Sequence, residues 1–261
     1  MSAYADLTQL VGWLCFNMGD YHSAQHYYDD ARSAAHDAQN VELVTYILCN
    51  MSHLATWQGK PRVGIDHAVA AAAWAEQSHS PLARAYAADV AARAYAADDQ
   101  PEKCRKSLDQ ECAVLQALQA GRADEPSASW GYFYDESFYW GTEGECALKL
   151  QRPEVAMSAL DRSLTLIDPA NLHNRTFVLL YGAEARIQQV EVAEASRIVA
   201  DVARLTAGSS SQRIAQRITN VRGLLTPWEQ TASVRELDER LAAYRPTLAG
   251  GSGNTKRTYT E

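Results

Sequence analysis

Small and apolar side chains recur along this chain at intervals of three and four residues, the spacing of one face of an α-helix, and short polar turns interrupt them at near-regular distances. Gly19-Asp20-Tyr21 is followed by Ala24, Tyr28 and Ala31; forty residues on, Gly59-Lys60-Pro61 is followed by Gly64, Ala68 and Ala71. A third turn, Asp99-Gln100-Pro101, leads into Cys104 and Leu108, and a fourth, Gln151-Arg152-Pro153, into Ala156, Leu160 and Ser163. A weaker fifth, Val190-Glu191-Val192, leads into Ala195, Val199 and Val202. Alternating Val, Ile and Thr runs that would mark strands are missing, so the pattern predicts an all-α chain. Each unit also places a small residue seven positions before its turn (Gly12, Ser52, Ala92, Gly144, Ala183) and another five after it (Ala24, Gly64, Cys104, Ala156, Ala195). Small side chains at those points let two antiparallel helices approach closely around a short turn. The expectation is a helical hairpin repeated about five times over residues 4–206.

Between the third and fourth units, Ala120 to Ser127 breaks any helix and accounts for the longer spacing there. Trp130, Tyr132, Phe133, Tyr134, Phe138, Tyr139 and Trp140 follow, a concentration of aromatics far above the chain-wide 9%, and they serve either as core or as a binding surface. Two more helices are expected over residues 209–245, one beginning after Gly208-Ser209-Ser210-Ser211 and one after Thr226-Pro227. Ile214, Ile218, Val221 and Leu225 share one face, with Arg213, Arg217 and Arg222 elsewhere, which reads as a cap that is apolar inward and polar outward. From residue 246 to 261 apolar content collapses, which predicts a disordered tail.

The repeat resembles the tetratricopeptide repeat, whose small, small, aromatic, alanine markers are seen best in Gly12, Gly19, Tyr21, Ala24, Tyr28 and Ala31. Gly12-Trp13-Leu14, Asn50-Met51-Ser52-His53 and Tyr134-Asp135-Glu136 are further similar to the helical-repeat sensor regions of actinobacterial helix-turn-helix transcriptional regulators. The resemblance implies a right-handed α-solenoid of about five helical pairs, closed by two C-terminal capping helices, and a role in transcriptional control. The first repeat helix is expected within a few residues of Met1, so the chain is read as lacking the DNA-binding segment of those regulators. It is then a stand-alone paralogue or a fragment of a longer one.

The same resemblance implies that the first helix of each pair lines a concave groove. Carried over by position, the groove holds Asp6, Gln9, Trp13 and Asn17 from the first unit and Tyr46, His53 and Trp57 from the second. Tyr86, Asp89 and Arg93 come from the third, Phe138, Glu145 and Lys149 from the fourth, and Phe177 and Glu184 from the fifth. Where chaperone-binding members carry a Lys, Asn and Arg clamp for a peptide carboxylate, this chain has Gln9, Trp13 and Asn17. Asp6, Asp89, Glu145 and Glu184 facing Arg93 and Lys149 read as an acidic-leaning groove that favours a neutral or cationic partner. Trp13, Trp57 and Trp140 are each either ligand anchors or inter-helix packing.

Charge and cysteine usage narrow the partners. With 24 Lys and Arg against 32 Asp and Glu the formal charge is −8, which argues against direct nucleic-acid binding. The longest small-apolar run, Ala68 to Ala75, is far short of the roughly 20 residues that cross a bilayer. No charged, apolar and cleavable N-terminal pattern is present, so a cytoplasmic protein without membrane contact is expected. Five scattered cysteines with no Cys-x-x-Cys read as reduced core residues.

Chemistry-bearing motifs are sparse. His22 and His26 have the spacing of two zinc ligands on a helix, but Ser23 stands where a metalloprotease needs Glu, and no metal or cofactor is assigned. Asp135, Glu136, Glu143 and Glu145 read as helix-initiating acids more readily than as an acid–base pair. No phosphate loop or nucleophile elbow appears, and no catalytic residue is assigned. The expected function is therefore non-enzymatic recognition of a peptide, a protein partner or a small signal molecule. A scaffold acting through homodimerisation or docking, and a small-molecule enzyme built on the same groove, stand as alternatives.

Overall fold

All five expected turns are junctions between helices. The computed structural model describes residues 2–121 and 134–248, with side chains as far as residue 243. Among the described residues are twelve α-helices and no strand. Five consecutive hairpins are formed by α1 (Ser2–Asn17) and α2 (Tyr21–Asp37), α3 (Val41–Trp57) and α4 (Pro61–Ala75), α5 (Pro81–Ala97) and α6 (Pro101–Gln119), α7 (Glu136–Lys149) and α8 (Pro153–Leu166), and α9 (Leu172–Gln188) and α10 (Val192–Leu205). They are followed by α11 (Gln212–Leu224), a 3-10 turn (Thr226–Trp228) and α12 (Ala232–Leu248). The expected break at 120–127 opens with a turn at Ala120-Gly121; the rest of it, and Trp130, Tyr132 and Phe133, lie outside the described residues. So does the expected tail beyond Leu248.

The turns share one mechanism. The residue leaving each first helix adopts a left-handed backbone, with φ of 77° at Gly19, 73° at Gly59, 54° at Asp99, 57° at Gln151 and 63° at Val190. That reversal lets the next N–H reach back to an otherwise unpaired helix carbonyl: Asp20 N–H donates to the Cys15 carbonyl at 2.9 Å and Arg152 N–H to that of Ala147 at 2.9 Å. Glycine adopts this φ without steric cost, whereas the β-branched Val190 holds it under strain. Proline then opens α4, α6 and α8, where its missing N–H would have no helical partner in any case.

All ten of the small residues around the turns are buried. In three hairpins the paired positions meet directly. A Cβ on Gly12 would lie 3.4 Å from the Ala24 carbonyl oxygen, and one on Gly144 would lie 3.3 Å from that of Ala156. In the second hairpin Ser52 Oγ donates to the Gly64 carbonyl at 2.8 Å. Bulk is supplied from across the pair: the same Gly144 Cβ would stand 2.5 Å from Cγ of Leu160, which is 1% exposed. Gly144→Ala is therefore expected to cost about 1–3 kcal/mol through overpacking. Gly223→Ala on α11, where a Cβ meets nothing within 4 Å, is expected to be neutral or slightly stabilising. Urea midpoints of the two variants check this, and equal midpoints would remove the close-packing account.

Successive hairpins stack first helix on first helix, α1 against α3, α3 against α5, α5 against α7 and α7 against α9. The C-terminal segment does not simply extend this row. α11 packs on α9 and α10 and also reaches α1, so the two ends of the row are brought to one helix.

Candidate functional site

The inner surface of the first helices and the N-terminal part of α11 together wall a cavity of about 710 Å3. Of the residues expected in the groove, Asp6, Gln9, Trp13 and Asn17 of α1, Tyr46 and His53 of α3, and Tyr86 and Arg93 of α5 line it. Phe138 of α7 and Phe177 of α9 complete that set. A second cavity of about 320 Å3 shares His53 and Arg93 with the first and is lined by Trp57, Glu145 and Lys149. Asp89 and Glu184 line neither cavity.

The acidic lean expected of the groove is not what the structure presents, because three of its four carboxylates, Asp89, Glu145 and Glu184, are each paired with an arginine. Asp89, with no exposed surface, is bound by Arg93 Nε at 3.0 Å and accepts from the Thr142 hydroxyl. The same guanidinium pairs with Glu145 and donates to Thr142, tying α5 to α7. Glu184 on α9 is paired with Arg217 of α11. Asp6 is exposed and held by Gln9 Nε2 at 3.3 Å.

The expectation that Arg213 and Arg217 face outward on a polar cap surface is likewise corrected: they are 3% and 9% exposed. Both sit on the shoulder of the buried Ile214 and Ile218 stripe, four residues apart, and α11 inserts that shoulder against the inner wall. Arg222 does remain at the surface, paired with Asp238 at 2.6 Å.

Arg213 is the most unusual side chain of the site. Its guanidinium lies 4.0 Å from the ring centre of Phe16, 4.8 Å from Trp57, 5.1 Å from Phe177 and 5.2 Å from Trp13. Aromatic faces attract a cation and offset part of the cost of removing it from water. Nη1 donates to Asn17 Oδ1 at 3.2 Å, Nη2 stands 3.4 Å from His53 Nε2, and Nε has no partner. Among the described residues no carboxylate lies within ion-pair distance of it. Burial pushes its pKa down to about 10, which leaves the group charged at neutral pH. Burial together with the Arg213 charge holds His53 well below the usual histidine range and His173 at about 4, so both imidazoles are neutral.

Two further polar atoms of cavity-lining side chains are buried away from the space and without partners, Gln9 Oε1 and Asn50 Nδ2, the latter on a side chain whose Oδ1 accepts from Tyr86 at 3.2 Å. Sequence reasoning missed Asn50, His173, Tyr181 and Arg213 as lining residues. The available signal for Arg213 was its four-residue spacing from Arg217 beside a buried stripe, which marks two cations facing one side.

Other candidates resolve into local roles. Trp57 donates from Nε1 to Tyr21 Oη at 3.1 Å and packs edge-on against Phe16 and Phe177. Within the aromatic segment, Tyr134 is buried and donates to Glu111 at 2.5 Å, while Trp140 donates to Glu136 and is covered by the Arg162 guanidinium at 4.1 Å. Phe138 alone of its described aromatics lines the large cavity. Burial, then the nearby Asp89 charge, pushes Glu111 well above the ordinary carboxylate range.

Asp135 is the N-cap of α7, accepting from Phe138 N–H at 3.0 Å, and Glu136 in its first turn binds Arg162 at 2.7 Å. His22 and His26 are both exposed on α2, and among the described residues no three His, Cys, Asp or Glu side chains gather as a metal-ligand set. No helix of the described residues is long and apolar enough to cross a membrane.

Set against known proteins, the sequence matches no family model and no curated relative. The cavity and its wall therefore carry the functional argument.

Proposed function

We propose that this chain is a tetratricopeptide-like recognition module, a right-handed solenoid of five hairpins capped by α11 and α12, that binds a small molecule or the end of a short peptide in its inner cavity. The observation that carries this reading is the cavity itself. About 710 Å3 falls within the roughly 300–1,000 Å3 of small-molecule sites, and its wall combines aromatic rings with a few polar side chains such as Gln9, Asn17 and Asn50. Closure by α11 favours a compact ligand over an extended strand of peptide. The role is regulatory, in the cytoplasm, and by resemblance in transcriptional control. Ligand contacts to α11 and to the first helices change how firmly the two ends of the row are held together, which is the means of signalling.

The test uses a variant that fills the cavity without disturbing its frame. Gly141 is on the cavity lining and a Cβ there meets Ser163 Oγ at 3.5 Å and Val178 Cγ2 at 3.6 Å, both ordinary contacts, so Gly141→Leu adds bulk at the wall, and its own melting curve verifies that the variant folds. A panel of small acids, amides, amines and tripeptides is screened by thermal shift against both proteins. Compounds that raise Tm of the natural chain and lose that effect in Gly141→Leu are the expected result. Compounds that act equally on both proteins, or a panel without any binder, would count against an inner binding site.

A further inference from the structure

Three arginines stand on the inner wall, Arg213 and Arg217 buried and Arg93 nearly so, and two of them are matched by acids: Arg93 by Asp89 and Glu145, Arg217 by Glu184. Arg213, the most deeply buried of the cavity-lining cations, has none. An isolated buried charge is costly, and rings, an amide oxygen and a neutral imidazole compensate it only in part. Asp6, the carboxylate on the cavity wall, makes no ion pair with it. The local field favours negative charge further, because α11 brings its N-terminus to the same wall, with Ser209, Ser210 and Ser211 lining the space ahead of it. His53 and His173, both neutral, add no competing positive charge and leave Arg213 as the cation to be satisfied.

Resting on the reading of the cavity as a binding site, we infer that Arg213 is the recognition point for the carboxylate of a small organic acid whose flat apolar body lies along the aromatic wall. A planar guanidinium presents N–H donors that match a carboxylate, and each Nη of this cavity-lining side chain keeps an N–H beyond the one directed at Asn17 or His53. Trp13, Phe177, Phe138 and Tyr46 give the space an aromatic wall against which a flat body packs. The ion pair completed by the ligand is also the contact that binds α11 to α1 and α3, since Arg213 already bridges Asn17 and His53.

The experiment titrates the full chain with benzoate and 2-naphthoate, each beside its primary amide, which keeps shape and removes charge. The expected result is that the acids bind about tenfold or more tightly than the amides, and that this ratio falls to about one in Arg213→Met. Because Arg213→Met removes a packed side chain, the natural chain is also observed by NMR at the arginine Nε–H, where the Arg213 signal shifts with acid and not with amide. Amides binding as tightly as acids would overturn the inference and leave the cavity reading standing. An acid preference that survives in a folded Arg213→Met would place the anion elsewhere and remove Arg213 from the role. Silence from acids and amides alike, at concentrations to several millimolar, would remove both readings.

Discussion

Arg93→Met is expected to lower the free energy of unfolding by about 3–5 kcal/mol, because it leaves two inner carboxylates without their cation. Asp89 has no exposed surface and Glu145 little, so neither can recover hydration when the guanidinium is gone. Burial already drives Asp89 upward against the opposing charge of Arg93, and without that charge the carboxyl takes up a proton on folding. The loss falls on the joint between α5 and α7, the place where the chain passes from the third hairpin to the fourth. Combining Arg93→Met with Asp89→Asn and Glu145→Gln is expected to recover most of the loss, since the orphaned charges go with their partner. Urea unfolding of the single and triple variants measures both effects. A single-variant loss below about 1 kcal/mol would mean that water reaches this network and that it does not hold the joint.

Trp57→Ala is expected to cost about 3–5 kcal/mol and to leave binding in the large cavity little changed. Its indole fills the angle between Phe16, Phe177 and the Arg213 guanidinium and bonds Tyr21, linking the first, second and fifth hairpins with α11. It lines the smaller cavity and not the larger one. Of the two roles that sequence left open, anchor or packing, these contacts favour packing. A melting curve and a titration of the same variant check it, and a stable variant with lost binding would reverse the assignment.

Much of the hairpin row was legible because its determinants are local or recur at a fixed separation. A turn that needs a left-handed residue, a helix start that tolerates proline and a close crossing that needs Gly12, Ser52, Ala92 or Gly144 all leave marks within about twenty residues of one another. Ten of the positions carried by resemblance, from Asp6 of α1 to Phe177 of α9, line the large cavity for the same reason, since a periodic helix face stays on one side of the row. Asp89 and Glu184 line neither cavity; their chemistry is spent on Arg93 and Arg217, and pairing of that kind does not show in position alone.

The arginines of α11 were misread for a different reason. An amphipathic stripe says which side of a helix is apolar; it does not say that the polar shoulder meets solvent. Arg213 finds Asn17 and His53 across 196 and 160 residues of chain, a distance at which no pattern of spacing carries information.

By itself, then, the order of residues determined helices, turns and the nesting of neighbours, because those depend on backbone preference and side-chain size over short stretches. Only the tertiary structure decided that α11 reaches back to the first helix, that the buried acids are paired, and that one arginine on the cavity lining is left without an acid. Electrostatic balance in a cavity is a sum over every wall, and the walls are assembled from segments that meet only when the chain has folded.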